Sequence, residues 1–411
     1  MKNEKHKLIN PIKLLANEAA MQTQELAAPL FHKSNKLFIG IPREITYQEN
    51  RTPLTPSAVS YLVNNGHRII IEHNAGKASN FSDTLFSEAG AEIVHSKEEI
   101  YKADLILKID PPTLNEVELM RENQILISAL QIKELCPITL NKMMQKKINA
   151  ISYEFLQDES GSFPIIRAMS EIAGHASVLI GAEYLNNSHI GKGELLGGFT
   201  GIPPTQIVII GAGAVGEYAT RAAIGLGANV KVFDNELYRL RRLQENLGQK
   251  IFTSTLHPKI LQEALRTCDV AIGALRGKAS LSPVVVPETM VMQMKPKSVI
   301  IDVAIDHGGV FETSEITNHE KPIFRKHDVI HYCVPNIPSR ISRTASYALS
   351  NIFTPLIIEM SNFASFVEYI KINVGPRRGV YIYDGQLTNR DLGEKFNIRS
   401  KELDLMLGSF L

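Results

Sequence analysis

Residues Gln206–Asp234 constrain this chain more than any other stretch. The mostly apolar run Gln206–Ile210 leads directly into Gly211-Ala212-Gly213-Ala214-Val215-Gly216, a helix-like segment follows, and a second apolar run ends at Asp234. Strand, G-x-G-x-x-G turn, helix, strand and acid, with the acid about 20 residues past the glycines, make up the dinucleotide-binding fingerprint. Each part has a mechanical reason. Gly211 permits the tight turn, Gly213 lets the backbone approach a pyrophosphate, and Gly216 lets helix and strand pack closely. The helix N-terminus offers unpaired N–H groups to phosphate. An acid at Asp234 accepts hydrogen bonds from the adenosine ribose hydroxyls and repels a 2′-phosphate, so the predicted cofactor is NAD rather than NADP.

The remainder of the chain must build around that unit. At 411 residues, two or three domains are expected. The 44 basic and 43 acidic residues leave a net charge of +1, which argues against a nucleic-acid partner. No uninterrupted apolar window is long enough to cross a membrane. The first residues, MKNEKHKLINPIKLLANEAAMQ, lack an apolar signal core. Cys136, Cys268 and Cys333 are widely spaced beside apolar runs, without C-x-x-C metal or redox spacing. They read as buried thiols of a reducing compartment, so a cytoplasmic protein with no metal site is expected.

Residues 1–36 carry a short apolar stripe and then a polar stretch. They read as an N-terminal helical extension packing on the body or on a neighbouring subunit, or as a partly disordered arm. From Leu37 onward strands and helices alternate, the pattern of a mainly parallel sheet covered on both faces. Strands are expected at Leu37–Ile41, Arg68–Glu72, Glu92–His95, Leu105–Ile109, Gln124–Ala129 and Ile148–Tyr153. A long helix, Ile165–Leu185, leads through a glycine-rich loop into nucleotide-fold strands at Gln206–Ile210, Asn229–Phe233, Val270–Gly273, Val299–Ile305 and Val329–Val334. One long helix is expected over Ser342–Ile370, kinked at Pro355, and Asp384-Gly385 reads as a hairpin turn. The last part is too small to fold alone, so it should return to the first α/β unit. The fold class is therefore α/β with a discontinuous first unit; the finer expectation, two Rossmann-like doubly wound domains around an inter-domain cleft, is what the family resemblance set out below implies. The expected limits are 37–164 plus 343–411 for the substrate domain and 165–342 for the NAD-binding domain.

Several further segments carry a resemblance. They are Ile39-Gly40-Ile41-Pro42-Arg43-Glu44 with Asn50-Arg51-Thr52-Pro53-Leu54-Thr55-Pro56, Met169–Gly174, Ile301–Gly309, His331–Asn336 and Thr344–Asn351. Through them the chain resembles the alanine dehydrogenases and, more distantly, the NAD-binding subunit of proton-translocating transhydrogenase. The resemblance implies two Rossmann-like domains and a homo-oligomer, hexamer or dimer. It implies that Arg51 grips a substrate carboxylate, a natural task for a guanidinium, and that Asp306 is the catalytic aspartate. Read on its own, Arg51 also suits a surface loop and Asp306 a turn. The resemblance further assigns Ser170, Ala214, Val215, Asp234, Arg239, Leu275, Val303 and Asn336 to NAD contacts. Arg239 could lie over the adenine or belong to a solvated basic face with Arg241 and Arg242.

Two positions depart from the family. The substrate-binding Lys-x-Lys-x-Pro stretch here reads Lys108-Ile109-Asp110-Pro111-Pro112, so Asp110 stands where the second lysine is expected. The catalytic histidine that ends the next strand is Gln131. An amide does not titrate near neutrality as an imidazole does, and an aspartate repels a carboxylate. Lys108 is on the same strand face as Asp110 and could pair with it, leaving Arg51 as the only free cation. His307 and His175 are weaker candidates for moving a proton. The loop Arg276–Pro283 lacks the family's wording. The expected substrate side thus comprises Arg51, Lys108 and Gln131, with Asp306 as the catalytic group. The expected activity is NAD-dependent oxidoreduction of a small amino acid or imino/keto acid, with little turnover of alanine itself. The alternatives are a catalytically degenerate NAD(H)-binding regulatory or scaffold protein, and hydride exchange of the transhydrogenase type.

Overall fold

The computed structural model describes residues 35–131, 135–277 and 282–408. Six parallel strands open the chain: β1 (Phe38–Ile41), β2 (Arg68–Glu72), β3 (Glu92–Val94), β4 (Leu105–Leu107), β5 (Ile125–Ser128) and β6 (Asn149–Ser152). They lie in the order β3-β2-β1-β4-β5-β6. All six are short, and all but the edge strand β3 are almost wholly buried, as parallel strands covered by helices must be. The C-terminal strands β14 (Val380–Tyr383) and β15 (Gln386–Leu387) extend this sheet antiparallel beside β6. Their two-residue turn is Asp384-Gly385, both at positive φ (44° and 73°), which matches the right-handed twist of the flanking strands.

The second sheet repeats the plan. Its strands β7 (Gln206–Ile210), β8 (Asn229–Phe233), β9 (Phe252–Ser254), β10 (Val270–Gly273), β11 (Val299–Asp302) and β13 (Val329–Tyr332) run parallel in the order β9-β8-β7-β10-β11-β13. An antiparallel edge strand, β12 (Ile323–Lys326), completes it. Both sheets therefore have doubly wound order, with a topological switch between β1 and β4 in one and between β7 and β10 in the other.

Two long helices join the sheets. Helix α1 (Pro164–Asn186) starts with proline, whose missing N–H costs nothing in the first turn. Its Ile165 packs in the core under the first sheet, while Ala173 to Leu185 pack in the core of the second. Helix α2 (Ala214–Gly225) follows the nucleotide turn and crosses α1 closely. A Cβ at Gly174 would meet the Val215 carbonyl oxygen at 2.4 Å, so only glycine fits that crossing. Helix α3 (Ser342–Ser361) returns to the first core with Leu349, Phe353, Ile357 and Met360. Two sequence expectations change here. The C-terminal helix ends at Ser361 rather than continuing to Ile370, and a separate helix, Phe366–Ile372, is capped by the Ser365 hydroxyl. Cys136 is exposed at a helix start, while Cys268 and Cys333 are buried as expected. The expected extension over residues 1–36 lies almost wholly outside the described residues. Of its last two, Asn35 binds the Ser361 and Phe363 carbonyls.

Candidate active site

At the switch of the second sheet, the three glycines of the turn do different things. Gly211 has φ of 114°, and a Cβ there would meet the Ala274 carbonyl oxygen at 2.5 Å. A Cβ at Gly216 would come within 1.8 Å of the Gly211 carbonyl oxygen. At Gly213 a Cβ would touch nothing within 4 Å, so the space before this backbone is open, as a pyrophosphate needs. Ala214 and Val215 form the first turn of α2, where N–H groups lack helical partners. Ser170 lies four residues before Gly174 on α1, on the face that crosses α2. Leu275, just past β10, is buried, and Val303, just past β11, is partly so. This cradle fits a dinucleotide.

Asp234 does more local work than its motif role suggests. It is fully buried; Oδ2 accepts from Ala212 N at 2.8 Å and Oδ1 from Glu236 N at 2.8 Å. The carboxylate thus braces the glycine turn, and each oxygen keeps a second lone pair. Arg239 is partly exposed; its Nη1 is 3.8 Å from Asp234 Oδ2, and its Nε donates to the Tyr238 hydroxyl.

Asp306 does not end a strand, as the sequence suggested. Strand β11 stops at Asp302, which is fully buried and accepts from Ala304 N, Val310 N, Phe311 N and the Ser314 hydroxyl. Asp302 ties down the loop, and a short 3₁₀ turn, Ile305–His307, presents Asp306 at its exposed apex. His307 is half-buried beside it, and the exposed His175 ring packs edge-on against Tyr218. Of the loop Arg276–Pro283, residues 278–281 lie outside the described residues.

Asn336 links this turn to the first sheet. At φ 53° it donates its backbone N–H to Asp306 (3.2 Å) and its side-chain amide to Glu49 Oε2 (2.9 Å). Glu49 in turn holds Arg51 with a two-bond fork: Nε to Oε1 at 2.7 Å and Nη2 to Oε2 at 2.5 Å. The chain around Arg51 is fixed by hydroxyls one helical turn apart on α3. Ser346 accepts from Thr52 N and Ser350 from Thr55 N, while Ser339 just ahead accepts from Asn50 N. Arg51 is therefore not a free cation. Its remaining nitrogen, Nη1, donates to the Met169 sulfur at 3.5 Å, a weak acceptor that a ligand carboxylate can replace.

The switch of the first sheet is packed with charge. Lys108, only 1 % exposed, does not pair with Asp110. It binds Glu116 at 3.1 Å and Glu44 at 3.5 Å. Glu116 also closes a capping box with Thr113. Asp110 Oδ1 instead accepts from the Gln131 amide nitrogen at 2.9 Å, so the two positions that depart from the family touch each other. Gln131 sits at φ 38°, and Glu154 accepts from both Leu130 N and Gln131 N to hold that turn. Glu44 Oε1 accepts from Ile109 N at 2.5 Å.

Burial sets the electrostatics. It pushes Glu44 up to about 7, with the Asp110 charge adding and Lys108 opposing. Burial and then the Glu49 carboxylate raise Asp110, against the Thr46 hydroxyl, Arg51 and Lys108. For Glu49, burial is outweighed by the Arg51 charge and its hydrogen bonds, which hold the carboxyl low. Sequence reasoning missed Glu44, Glu49, Glu116 and Glu154. Only Glu116 had a signal, the Thr113-x-x-Glu116 spacing just ahead of an apolar helix.

Comparison with known proteins identifies the family and the fold. Family models for the alanine dehydrogenase/PNT N-terminal and C-terminal domains match residues 40–173 and 177–390. Alanine dehydrogenase 2 of Staphylococcus aureus (strain USA300) is 38% identical over 367 residues, 89% of this chain and 98% of that protein. A solved L-alanine dehydrogenase aligns with TM-score 0.81 at 33% identity, covering 87% of this chain and 99% of that one. A transhydrogenase from Sinorhizobium meliloti shares the fold, with TM-score 0.72 at 21% identity over 86% of this chain and 99% of its own. With both sheets, the glycine turn and the Arg51 and Asp306 loops inside the matched spans, the chain belongs to the alanine dehydrogenase/PNT family.

Proposed function

We propose that this protein is an NAD-dependent oxidoreductase of the amino-acid dehydrogenase type. It interconverts a small amino acid with its imino or keto acid. The observation that carries this reading is the chain Asp306–Asn336–Glu49–Arg51, which joins the nucleotide side to the first sheet at one point. NAD, when bound, supplies the hydride acceptor. Overall, amino acid, NAD⁺ and water give keto acid, ammonium, NADH and one proton. Arg51 holds a ligand carboxylate through Nη1 while Glu49 fixes the guanidinium plane. Asp306, exposed at its apex, orients the water that attacks the iminium carbon. Lys108, which the sequence placed on the substrate side, is spent on Glu116 and Glu44 and acts as a buried strut. Gln131 holds Asp110 rather than moving a proton.

Turnover followed by NADH absorbance, across amino acids in one direction and keto acids with ammonia in the other, tests the reading. No turnover with any of them, together with tight NADH binding, would favour the second reading: a degenerate NAD(H)-binding regulatory or scaffold protein. That reading draws on Asp110 and Gln131 standing where the family has lysine and histidine. Transhydrogenase-type hydride exchange is read in the same assay with a nucleotide pair; no described helix is long and apolar enough to cross a membrane.

We place the domain limits at 37–164 plus 343–411 and 165–342, with α1 and α3 as the connections between them. We also propose a cytoplasmic homo-oligomer. Exposed Leu195, Phe199 and Ile202 in the loop before β7 support a subunit contact, and light scattering at micromolar concentration tests it.

A further inference from the structure

The Asp110–Gln131 pair reshapes the first-sheet switch into something other than a carboxylate site. Asp110 is 3 % exposed. One of its oxygens takes the Gln131 amide, and the other, Oδ2, is buried with no hydrogen-bond partner. Pairing with a carboxylate commits the nitrogen end of the Gln131 amide, which turns its carbonyl oxygen away as a second acceptor. Among the described residues, Glu44, Glu49, Glu116 and Glu154 stand around them against two cations, Arg51 and Lys108. Both cations already have carboxylate partners: Arg51 has Glu49, and Lys108 has Glu116 and Glu44. Among the described residues Asp110 joins no ion pair. A buried carboxylate oxygen left in this state is costly, and a donor that carries positive charge removes that cost most effectively.

We propose that Asp110 and Gln131 form a cation-recognition subsite that receives the ammonium or guanidinium group of the ligand. The substrate class is then an amine or a basic amino acid rather than a simple monocarboxylate. This rests on the reading of the site as the substrate side of an oxidoreductase. The geometry fits a charged N–H donor: Asp110 Oδ2 accepts, and the Gln131 amide holds the carboxylate in place through Oδ1. The Thr46 hydroxyl lies close enough to oppose the rise in the Asp110 pKa and flanks the subsite from the loop after β1. A carboxylate approaching the same point meets the unpaired Asp110 oxygen and is repelled.

Calorimetric titration of the full chain, saturated with NADH, measures this with ethylammonium and guanidinium as cationic probes and acetate and pyruvate as anionic ones. The wild-type protein is expected to bind at least one cation about tenfold or more tightly than either anion. Asp110→Asn should lose that cation by about tenfold or more, and Asp110→Lys should invert the order, both with NADH affinity little changed. No detectable binding of either cation to the wild type would overturn the proposal even if no variant folds. An Asp110→Asn protein that keeps its cation affinity overturns it too. Turnover separates this from the broader reading. Cation binding without turnover of any amine or amino acid leaves the subsite standing and removes the oxidoreductase. Efficient turnover of a neutral-side-chain amino acid, with no cation preference, does the reverse.

Discussion

The two sheets share one strand order but use their switch points in opposite ways. Between β7 and β10 the chain spends glycine: backbone approaches backbone, side chains are absent, and the space before Gly213 is open. Between β1 and β4 it spends charge: Glu44, Lys108 and Asp110 fill the crevice, and almost none of it is exposed. A backbone cradle reads only the shape and charge of a phosphate, so it survives changes of chemistry elsewhere. A side-chain crevice is specific, and two substitutions in it change what it can hold. One fold can therefore keep its cofactor while its substrate drifts.

The largest test of this contrast is Gly216→Ala. The new Cβ would lie 1.8 Å from the Gly211 carbonyl oxygen, and that oxygen belongs to the turn itself. NADH binding, followed by cofactor fluorescence, should fall by at least about 100-fold. Circular dichroism should still report a folded protein. Near-normal NADH affinity in this variant would show that the turn is not the cradle.

Next in size is the reverse exchange in the other crevice. Asp110→Lys with Gln131→His restores an ammonium and a titrating imidazole at adjacent strand ends. A positioned acid–base group contributes typically 10²–10⁴-fold, so turnover of alanine or pyruvate should rise by roughly 10²-fold. NADH affinity should barely move. If the unaltered protein already turns over alanine near an ordinary 10 s⁻¹, a rough median for enzymes, the crevice works differently from this account.

A third test uses pH. Glu44 is raised from 4.5 to about 7, so the folded state holds its proton more tightly than the unfolded chain does. Its contribution to stability is full below the unfolded value and is lost as pH rises toward and through 7. A shift of this size corresponds to about 3 kcal/mol. Glu49 and Glu116 have lowered values, so their contribution is present above the unfolded value and lost only as pH falls below it. Chemical denaturation between pH 5 and pH 8 should show Glu44→Gln gaining on the wild type as pH rises. Parallel curves would mean that Glu44 does not carry the shift.

Much of this layout could be read from the sequence, and what could not has a common cause. Strands β2, β7, β8 and β10 match their expected bounds because long apolar runs are bracketed by turn residues. The edge strands β9 and β12 were missed. One is three residues long and the other carries Arg325 and Lys326, so neither shows an apolar run. In the site, Arg51, Asp110 and Gln131 were legible through local wording. Glu44 and Glu154 were not, because each acts on backbone N–H groups that are distant in the chain. The Asp110–Gln131 contact was within reach: each lies three residues beyond the end of neighbouring parallel strands. The expectation that Lys108 pairs with Asp110 failed because strand alternation says nothing of a competing helix. The capping-box glutamate Glu116 arrives on that helix already aimed at the ammonium.

The smallest expected effect concerns cofactor choice, and it bears on how rigid the glycine cradle is. Asp234 should make the protein prefer NADH over NADPH, since a carboxylate at the end of β8 repels a 2′-phosphate. The preference should be modest, about tenfold. The carboxylate is fully buried and already accepts from Ala212 N and Glu236 N, and Arg239 lies 3.8 Å away with the opposite charge. Asp234→Asn keeps the shape and removes the charge. It should narrow the NADH/NADPH ratio by several-fold and weaken both cofactors slightly, because an amide nitrogen cannot accept from both backbone groups. Arg239→Ala separates the two readings of that arginine. Loss of affinity for both cofactors alike would place it against the adenine, whereas unchanged binding leaves it on the solvated face with Arg241 and Arg242. Fluorescence titration of each variant with both nucleotides decides the matter. Equal or tighter NADPH binding by the wild type would mean that Asp234 serves the turn alone and selects nothing.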